Sequence, residues 1–252
     1  MNKNLGTLIV NLLKEKSPLS VEEIASKIYV SESTVRRKLT VLQDAGVVTR
    51  SYGKAFLNDS KHFMPAFDIR KTENSTEKKK ITFEALKLIK DGYTVFLDAS
   101  TSAHYIAQYL SEFNNLTVIT NGVDTLSTLA SMHVTAYSTG GKVCHDNSSA
   151  LVGLNAVNFI DKIHAAVCFF STMCIDRNGN CYDISDEENE VRRIMIKNAN
   201  KSVLLCDSSK FGFATTFKLT NVKDVDILIT DKDLSNEVDI PKNQLPEIIV
   251  CG

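Results

Sequence analysis

No apolar run in this 252-residue chain approaches the roughly 18 residues that a bilayer-crossing helix needs, so no span is expected. The first residues, MNKNLGTLIVNLLKEK, read as an amphipathic helix without the uninterrupted apolar stretch and cleavage site of a secretory leader. A cytoplasmic protein with no membrane partner is the expectation. The six cysteines, Cys144, Cys168, Cys174, Cys181, Cys206 and Cys251, include no CxxC pair and have no histidine at finger spacing. That argues against zinc or a disulfide framework and for reduced thiols. Neither a metal nor a cofactor is expected. A dominant charge is missing too: 29 Lys and Arg face 30 Asp and Glu, a formal net charge of -1.

The near-neutral total conceals a division. Residues 1–57 hold 9 basic and 5 acidic side chains, a balance of +4, whereas residues 81–252 hold 14 and 21, a balance of -7. A polyanion is drawn to the first segment and discouraged from the second. With 43% hydrophobic residues, the chain is long enough for a small domain and a larger one.

Within the basic segment, Ser31 to Gly46 reads SESTVRRKLTVLQDAG. Val35, Leu39 and Leu42 recur at helical spacing and form one apolar stripe, leaving Ser33, Thr34, Arg36, Arg37 and Lys38 to face outward. Ser31 suits the N-cap, and Gly46 the left-handed residue past the C-terminus. A preceding helix starts at Ser20, three residues before Glu23 in capping-box spacing, with Val21, Ile24, Ala25 and Ile28 on one side. Only Tyr29-Val30-Ser31 separates the two, which makes a helix-turn-helix whose second member fits a DNA major groove. Another helix, with Leu5, Leu8, Ile9, Leu12 and Leu13 on one face, completes a three-helix core. Two short strands about Ser51-Tyr52-Gly53-Lys54 read as a wing, with Arg50 and Lys54 near its tip as phosphate contacts.

Residues 58–80 carry scattered charges, Pro65 and the run Lys78-Lys79-Lys80, and read as a linker, although helix could begin near Thr72. From Tyr93 onward, short apolar runs alternate with helical patterns, the rhythm of βαβ units in an open, mostly parallel sheet over residues 81–252. Ligands of such sheets bind beyond the carboxyl ends of the strands. The residues there are polar: Asp98 with Ser100, Thr101 and Ser102; Thr120 and Asn121; Gly140 and Gly141; Ser171; Asp207 and Lys210. Hydroxyls and amides at helix starts suit a phosphate, carboxylates accept sugar hydroxyls, and Lys210 offers a compact cation. The set points to a phosphorylated polyol. Turn chemistry alone accounts for any single one of these loops.

Val30-Ser31, Thr34-Val35-Arg36-Arg37, Leu39, Leu42, Gly46 and Arg50 resemble the helix-turn-helix signature of the DeoR family of bacterial transcription regulators. Leu97-Asp98-Ala99-Ser100-Thr101, Ile119-Thr120-Asn121, Gly140-Gly141, Glu187-Glu188 and Asp207-Ser208-Ser209-Lys210-Phe211-Gly212 resemble its sensor domain, related in fold to ribose-5-phosphate isomerase and glucosamine-6-phosphate deaminase. The resemblance covers nearly the whole chain. It implies an α/β protein, a small winged helix-turn-helix over 1–57 and a larger sensing and oligomerising domain over 81–252, and it adds Glu188 to the effector set. It further implies operator affinity set by a phosphorylated sugar or related metabolite, most often repressing a sugar-metabolism operon; because one head covers a single half-site, a homodimer or homotetramer on operator DNA is expected. Lys38 departs from the acidic residue common at that position, and a single Gly53 stands where two glycines are usual. A sugar-phosphate isomerase or deaminase carrying a DNA-binding head is the competing reading.

Overall fold

Helix α1 (Leu5–Glu15), α2 (Val21–Ile28) and α3 (Glu32–Asp44) form at the sites of apolar periodicity and meet in one core. This structure is a computed structural model, describing residues 5–44, 46–57, 65, 67–233 and 237–252. The expected capping box opens α2: Ser20 Oγ accepts the Glu23 N–H at 3.1 Å, and Glu23 Oε2 accepts the Ser20 N–H at 2.7 Å. Gly46 follows α3 at φ 67°, which lets the chain reverse without a Cβ clash. On α1 the buried face comprises Gly6, Ile9, Val10 and Leu13, and Leu8 is left 43% exposed. The apolar side is thus turned slightly from the stripe of leucines.

Strand β1 (Leu19–Ser20) joins β2 (Val48–Ser51) and β3 (Lys54–Leu57) in an antiparallel sheet of order β1-β3-β2. The last two are the expected wing. Val48 and Ala55 point into the core, and Tyr52-Gly53 makes the turn with both φ angles positive.

The chain divides into two units, Met1–Glu73 and Asn74–Gly252, here called head and body. The expected linker therefore needs correcting. Residues 58–64 and 66 lie outside the described residues, but α4 (Phe67–Thr72) buries Phe67 and packs Ile69 into the core of the head, and α5 (Ser75–Leu86) buries Lys78, Ile81, Thr82 and Ala85 in the body. Over residues 67–80, apolar residues are spaced along charged helices rather than lying in a continuous polar stretch.

The body is built on seven parallel strands. These are β4 (Thr94–Leu97), β5 (Thr117–Thr120), β6 (Thr135–Ser138), β9 (Val167–Phe170), β12 (Ser202–Leu205), β14 (Ile227–Thr230) and β15 (Glu247–Val250), in the order β15-β14-β12-β9-β4-β5-β6. Side-chain alternation sends Phe96, Cys168, Phe170 and Leu204 to one face and Val95, Leu97, Phe169 and Val203 to the other. Helices α8 (Leu154–Ile160) and α9 (Asp186–Lys197) cover the first face. Helices α5, α6 (Thr101–Ala107) and α7 (Val123–Ser131) cover the second. Full burial of side chains such as Phe96, Phe169 and Phe170 contributes about 1.5–3 kcal/mol each.

Two smaller sheets lay outside the sequence reading. The hairpin β7 (Lys142–Val143) and β8 (Leu151–Val152) precedes α8, and β10 (Cys174–Ile175), β11 (Asn180–Asp183) and β13 (Phe217–Asn221) form an antiparallel sheet of order β10-β11-β13. All six cysteines are buried. Burial pushes the Cys174 thiol up to about 12, so it stays protonated at neutral pH.

Candidate functional site

Two surfaces carry the predicted residues, one in each unit. In the head, Ser31 caps α3, its hydroxyl accepting the Thr34 N–H at 3.3 Å and lying 3.0 Å from Ser33 Oγ and 2.9 Å from Thr34 Oγ1. The helix start is a small cluster of hydroxyls. Three consecutive helical residues sweep about 200° around the axis, so Arg36, Arg37 and Lys38 do not share one face. Arg36 donates to Glu32 Oε2 at 2.8 Å, and Arg37 is exposed. Lys38, expected to stand free, is half-buried: its Cε lies 2.6 Å from where a Cβ on Gly6 would sit. Thr34, Arg37 and Lys38 line a shallow depression with Leu5 and Val41.

Arg50 lies on β2 and turns back toward α3, donating from Nη1 to Thr40 Oγ1 at 3.2 Å; it is not at the tip. Lys54, at the turn end of β3, is exposed there. Two residues outside the predicted set are also fully outward: Tyr29 (94% exposed, φ 55°) in the turn before α3, and Tyr52 (102%, φ 48°) in the wing turn.

In the body, Leu97 pairs with both Thr120 and Phe169, and Thr120 with Ser138. The residues after β4, β5, β6 and β9 therefore emerge side by side at the carboxyl edge. Asp98 is fully buried there. Its Oδ1 accepts the Ser100 N–H at 3.0 Å; its Oδ2 accepts the Ser171 N–H at 3.2 Å and Arg192 Nε at 2.9 Å. Arg192, on α9, also donates to Asp183 Oδ2 at 2.8 Å, Asn189 Oδ1 at 3.2 Å and Glu188 Oε2 at 3.1 Å, and Glu188 accepts Asn147 Nδ2 at 3.1 Å. Burial opposes the guanidinium charge, but Asp183, Glu188 and Asp98 outweigh it and hold its proton more firmly than usual. A carboxylate so engaged does not reach for a sugar hydroxyl. Asp98 and Glu188 fix the loops instead, which corrects the task expected of them from residue type.

The remaining loop groups divide into occupied and unoccupied. Ser100 Oγ caps α6 by accepting the Ala103 N–H at 3.1 Å, and Thr120 Oγ1 accepts the Gly122 N–H at 3.0 Å. Thr101 is buried. Asn121 donates from Nδ2 to the Leu151 carbonyl at 3.1 Å, but its Oδ1, like Ser102 Oγ, is buried without a hydrogen-bond partner. Gly140 and Gly141 are exposed beyond β6, and a Cβ at Gly141 would lie 2.4 Å from the Val152 carbonyl oxygen, so only glycine fits.

On the other side of β9, Lys210 donates to Ser171 Oγ at 2.6 Å and to the Thr172 carbonyl at 2.7 Å. Burial alone would raise the Asp207 carboxyl, but Lys210, Ser209 and Lys78 together hold it below the ordinary carboxylate range. Ser171, Asp207 and Lys210 thus come together as one polar group. A cavity of about 200 Å³ near Phe113, His133 and Thr135 opens at the starts of β5 and β6, the opposite end of these strands, and holds no predicted residue.

Sequence reasoning missed Asn74, Lys78, Asn147, Asp183 and Arg192. Lys78 stood inside a charge run assigned to the linker. Arg192 carried one usable signal, its i,i+4 spacing from Glu188, but nothing local links it to Asp98 94 residues away.

The sequence matches the DeoR-like helix-turn-helix domain over residues 7–61 and the DeoR C terminal sensor domain over residues 73–232. It is 35% identical to the HTH-type transcriptional regulator GolR of Listeria innocua, across 90% of this chain and 89% of that one. It is 27% identical to the glycerol-3-phosphate regulon repressor of Escherichia coli, across 88% of each. A ribose 5-phosphate isomerase from Methanocaldococcus jannaschii aligns with 55% of each chain at 18% identity and a TM-score of 0.42. The reader helix, the wing and six of the seven strands of the parallel sheet fall within the matched domains: the chain belongs to the DeoR family of DNA-binding transcriptional regulators.

Proposed function

We propose that this regulator is a cytoplasmic repressor of a sugar-metabolism operon, binding its operator as a homodimer or homotetramer and releasing or engaging it in response to a phosphorylated sugar or related metabolite. Ser31, Ser33, Thr34, Arg36, Arg37 and Lys38 are its groove and phosphate contacts, with Arg50 and Lys54 supporting them from the wing. Paired heads are required because one head covers a single half-site. The E. coli relative, by name a repressor of a glycerol-3-phosphate regulon, supports a phosphorylated polyol as the signal.

The observation that carries the sensing half is the pair of buried, unpartnered oxygens at the carboxyl edge, Ser102 Oγ in the first turn of α6 after β4 and Asn121 Oδ1 in the loop after the neighbouring β5. Each unsatisfied group costs about 1–3 kcal/mol, which a polyol hydroxyl would recover by bonding to it. Ser100, Thr101, Thr120, Gly140 and Gly141 shape the surrounding loops. Ser171, Asp207 and Lys210 supply hydroxyl, carboxylate and cation, and Asp98 and Glu188 act through Arg192. Fluorescence anisotropy on a fragment of the chain's own promoter, titrated with sugar phosphates, tests the reading. Lys210→Ala is expected to keep operator affinity and lose the ligand response; an unaltered response in that variant would move the sensor elsewhere.

A further inference from the structure

Asn74 opens the body in a left-handed conformation, φ 50° and ψ 38°, immediately before α5. An asparagine there ordinarily turns its side chain onto the first free amides of the helix. No such cap bond forms. Its Nδ2 donates instead to Asp207 Oδ1 and to Ser209 Oγ, 2.9 Å in each case. The residue at which the chain enters the body is therefore held by the loop after β12. The two residues before it belong to the head. Glu73 Oε1 accepts Lys14 Nζ at 2.7 Å, and Thr72 Oγ1 lies 2.9 Å from Thr7 Oγ1, both partners on α1. Successive residues of one short segment are thus fastened to different units.

Asp207 Oδ1 is crowded. It accepts the Ser209 N–H and the Ser209 hydroxyl as well as the Asn74 amide, more donors than one oxygen's two lone pairs serve well. A ligand hydroxyl arriving at Asp207 Oδ1, or a ligand phosphate taking the Ser209 hydroxyl, competes with these donors. Ser209 is bound within its own tight loop. Asn74 is exposed and is the donor whose departure leaves the loop intact. Lys78, one turn further along α5, acts on the same carboxylate, so the start of that helix and the loop share their electrostatics.

We infer that Asn74 is a positioning residue for allosteric coupling: ligand entering at the Asp207–Lys210 loop displaces the Asn74 amide and so alters the restraint on the segment that carries the head. This rests on the reading of that loop as part of the sensor. Asn74 lies outside the helix-turn-helix and the wing, so its substitution leaves the proposed DNA contacts native.

Asn74→Gly keeps the left-handed backbone without strain while deleting the amide, and Ser209→Ala removes the second partner and leaves residue 74 native. Hydrogen exchange on the ligand-free full chain comes first. Both variants are expected to exchange about fivefold or more faster than wild type over residues 70–80 and 206–212 together. Unchanged exchange overturns the latch whatever any ligand does. Operator affinity is then measured with and without ribose 5-phosphate, glucose 6-phosphate, fructose 1-phosphate and glycerol 3-phosphate, with ligand affinity read separately by calorimetry. Couplings of this kind span about 5- to 150-fold. The variants are expected to bind the active compound within about twofold of wild type while its effect on operator Kd shrinks to about twofold or less. A wild-type effect in Asn74→Gly overturns the inference and leaves the sensing function standing. If no compound binds or shifts wild-type operator affinity, the sensing reading fails on its own account and the exchange result alone decides the latch.

Discussion

Head and body handle charge in opposite ways. In the head the ion pair on the reader helix, Arg36 with Glu32, keeps both side chains roughly half exposed, and Arg37 is exposed as well. In the body the guanidinium of Arg192 is 4% exposed and meets three carboxylates that are no more than 2% exposed. An exposed cation costs the fold little and remains available to a polyanion; a buried one is unavailable to any partner but fixes the loops around it. The contrast matches the work of each unit: one meets a long, charged surface, the other must hold several loops in one geometry.

The sharpest way to break the contrast is Arg192→Met. Removing the cation leaves Asp98, Asp183 and Glu188 facing one another in a buried site, and the expected loss is about 3–5 kcal/mol from the body's urea transition. A loss below about 1 kcal/mol would mean that the carboxylates find other partners or protonate. Arg37→Ala is the counterpart in the head. Its stability should stay within about 0.5 kcal/mol of wild type, while operator affinity falls by about 1–3 kcal/mol for a base contact, or the salt slope drops by about one for a phosphate contact. An unchanged titration removes Arg37 from the interface.

Acid sharpens the comparison. Asp207 has a depressed carboxyl in the folded body, so its stabilising contribution is present above the unfolded carboxylate value near ~3.9 and is lost as pH falls through the lower folded one. Asp207→Asn should accordingly lose less stability than wild type when urea midpoints are compared on either side of that range. Equal losses would show that Asp207 is not held by Lys210. The smallest effect belongs to Glu32→Gln, which breaks the exposed pair and should change head stability by less than about 0.5 kcal/mol.

How much could be read beforehand follows from the same physics. The central strands of the parallel sheet were legible because both faces are covered there, so runs such as Val167 to Phe170 are continuously apolar. Strands β11 and β13 were not, since Asn180-Cys181-Tyr182-Asp183 and Phe217-Lys218-Leu219-Thr220-Asn221 are short and polar and their pairing is set by residues far apart in the chain. In the head, caps and glycine identified α2 and the reader helix α3 to within a residue, because capping is local chemistry. At the site, residue types picked out the right loops but not the tasks. Asp98 looked like a ligand acceptor until Arg192, Ser100 and Ser171 were seen to occupy it.

Gly6 gives α1 a part in tuning the reader. A methyl group there would collide with Lys38 Cε, and because that atom sits near the end of a flexible stem, the lysine rather than the helix would give way. The stem would swing off α1 and carry its ammonium outward. The positive potential of the reading surface is therefore adjustable by one carbon atom on a different helix, without altering any charged residue.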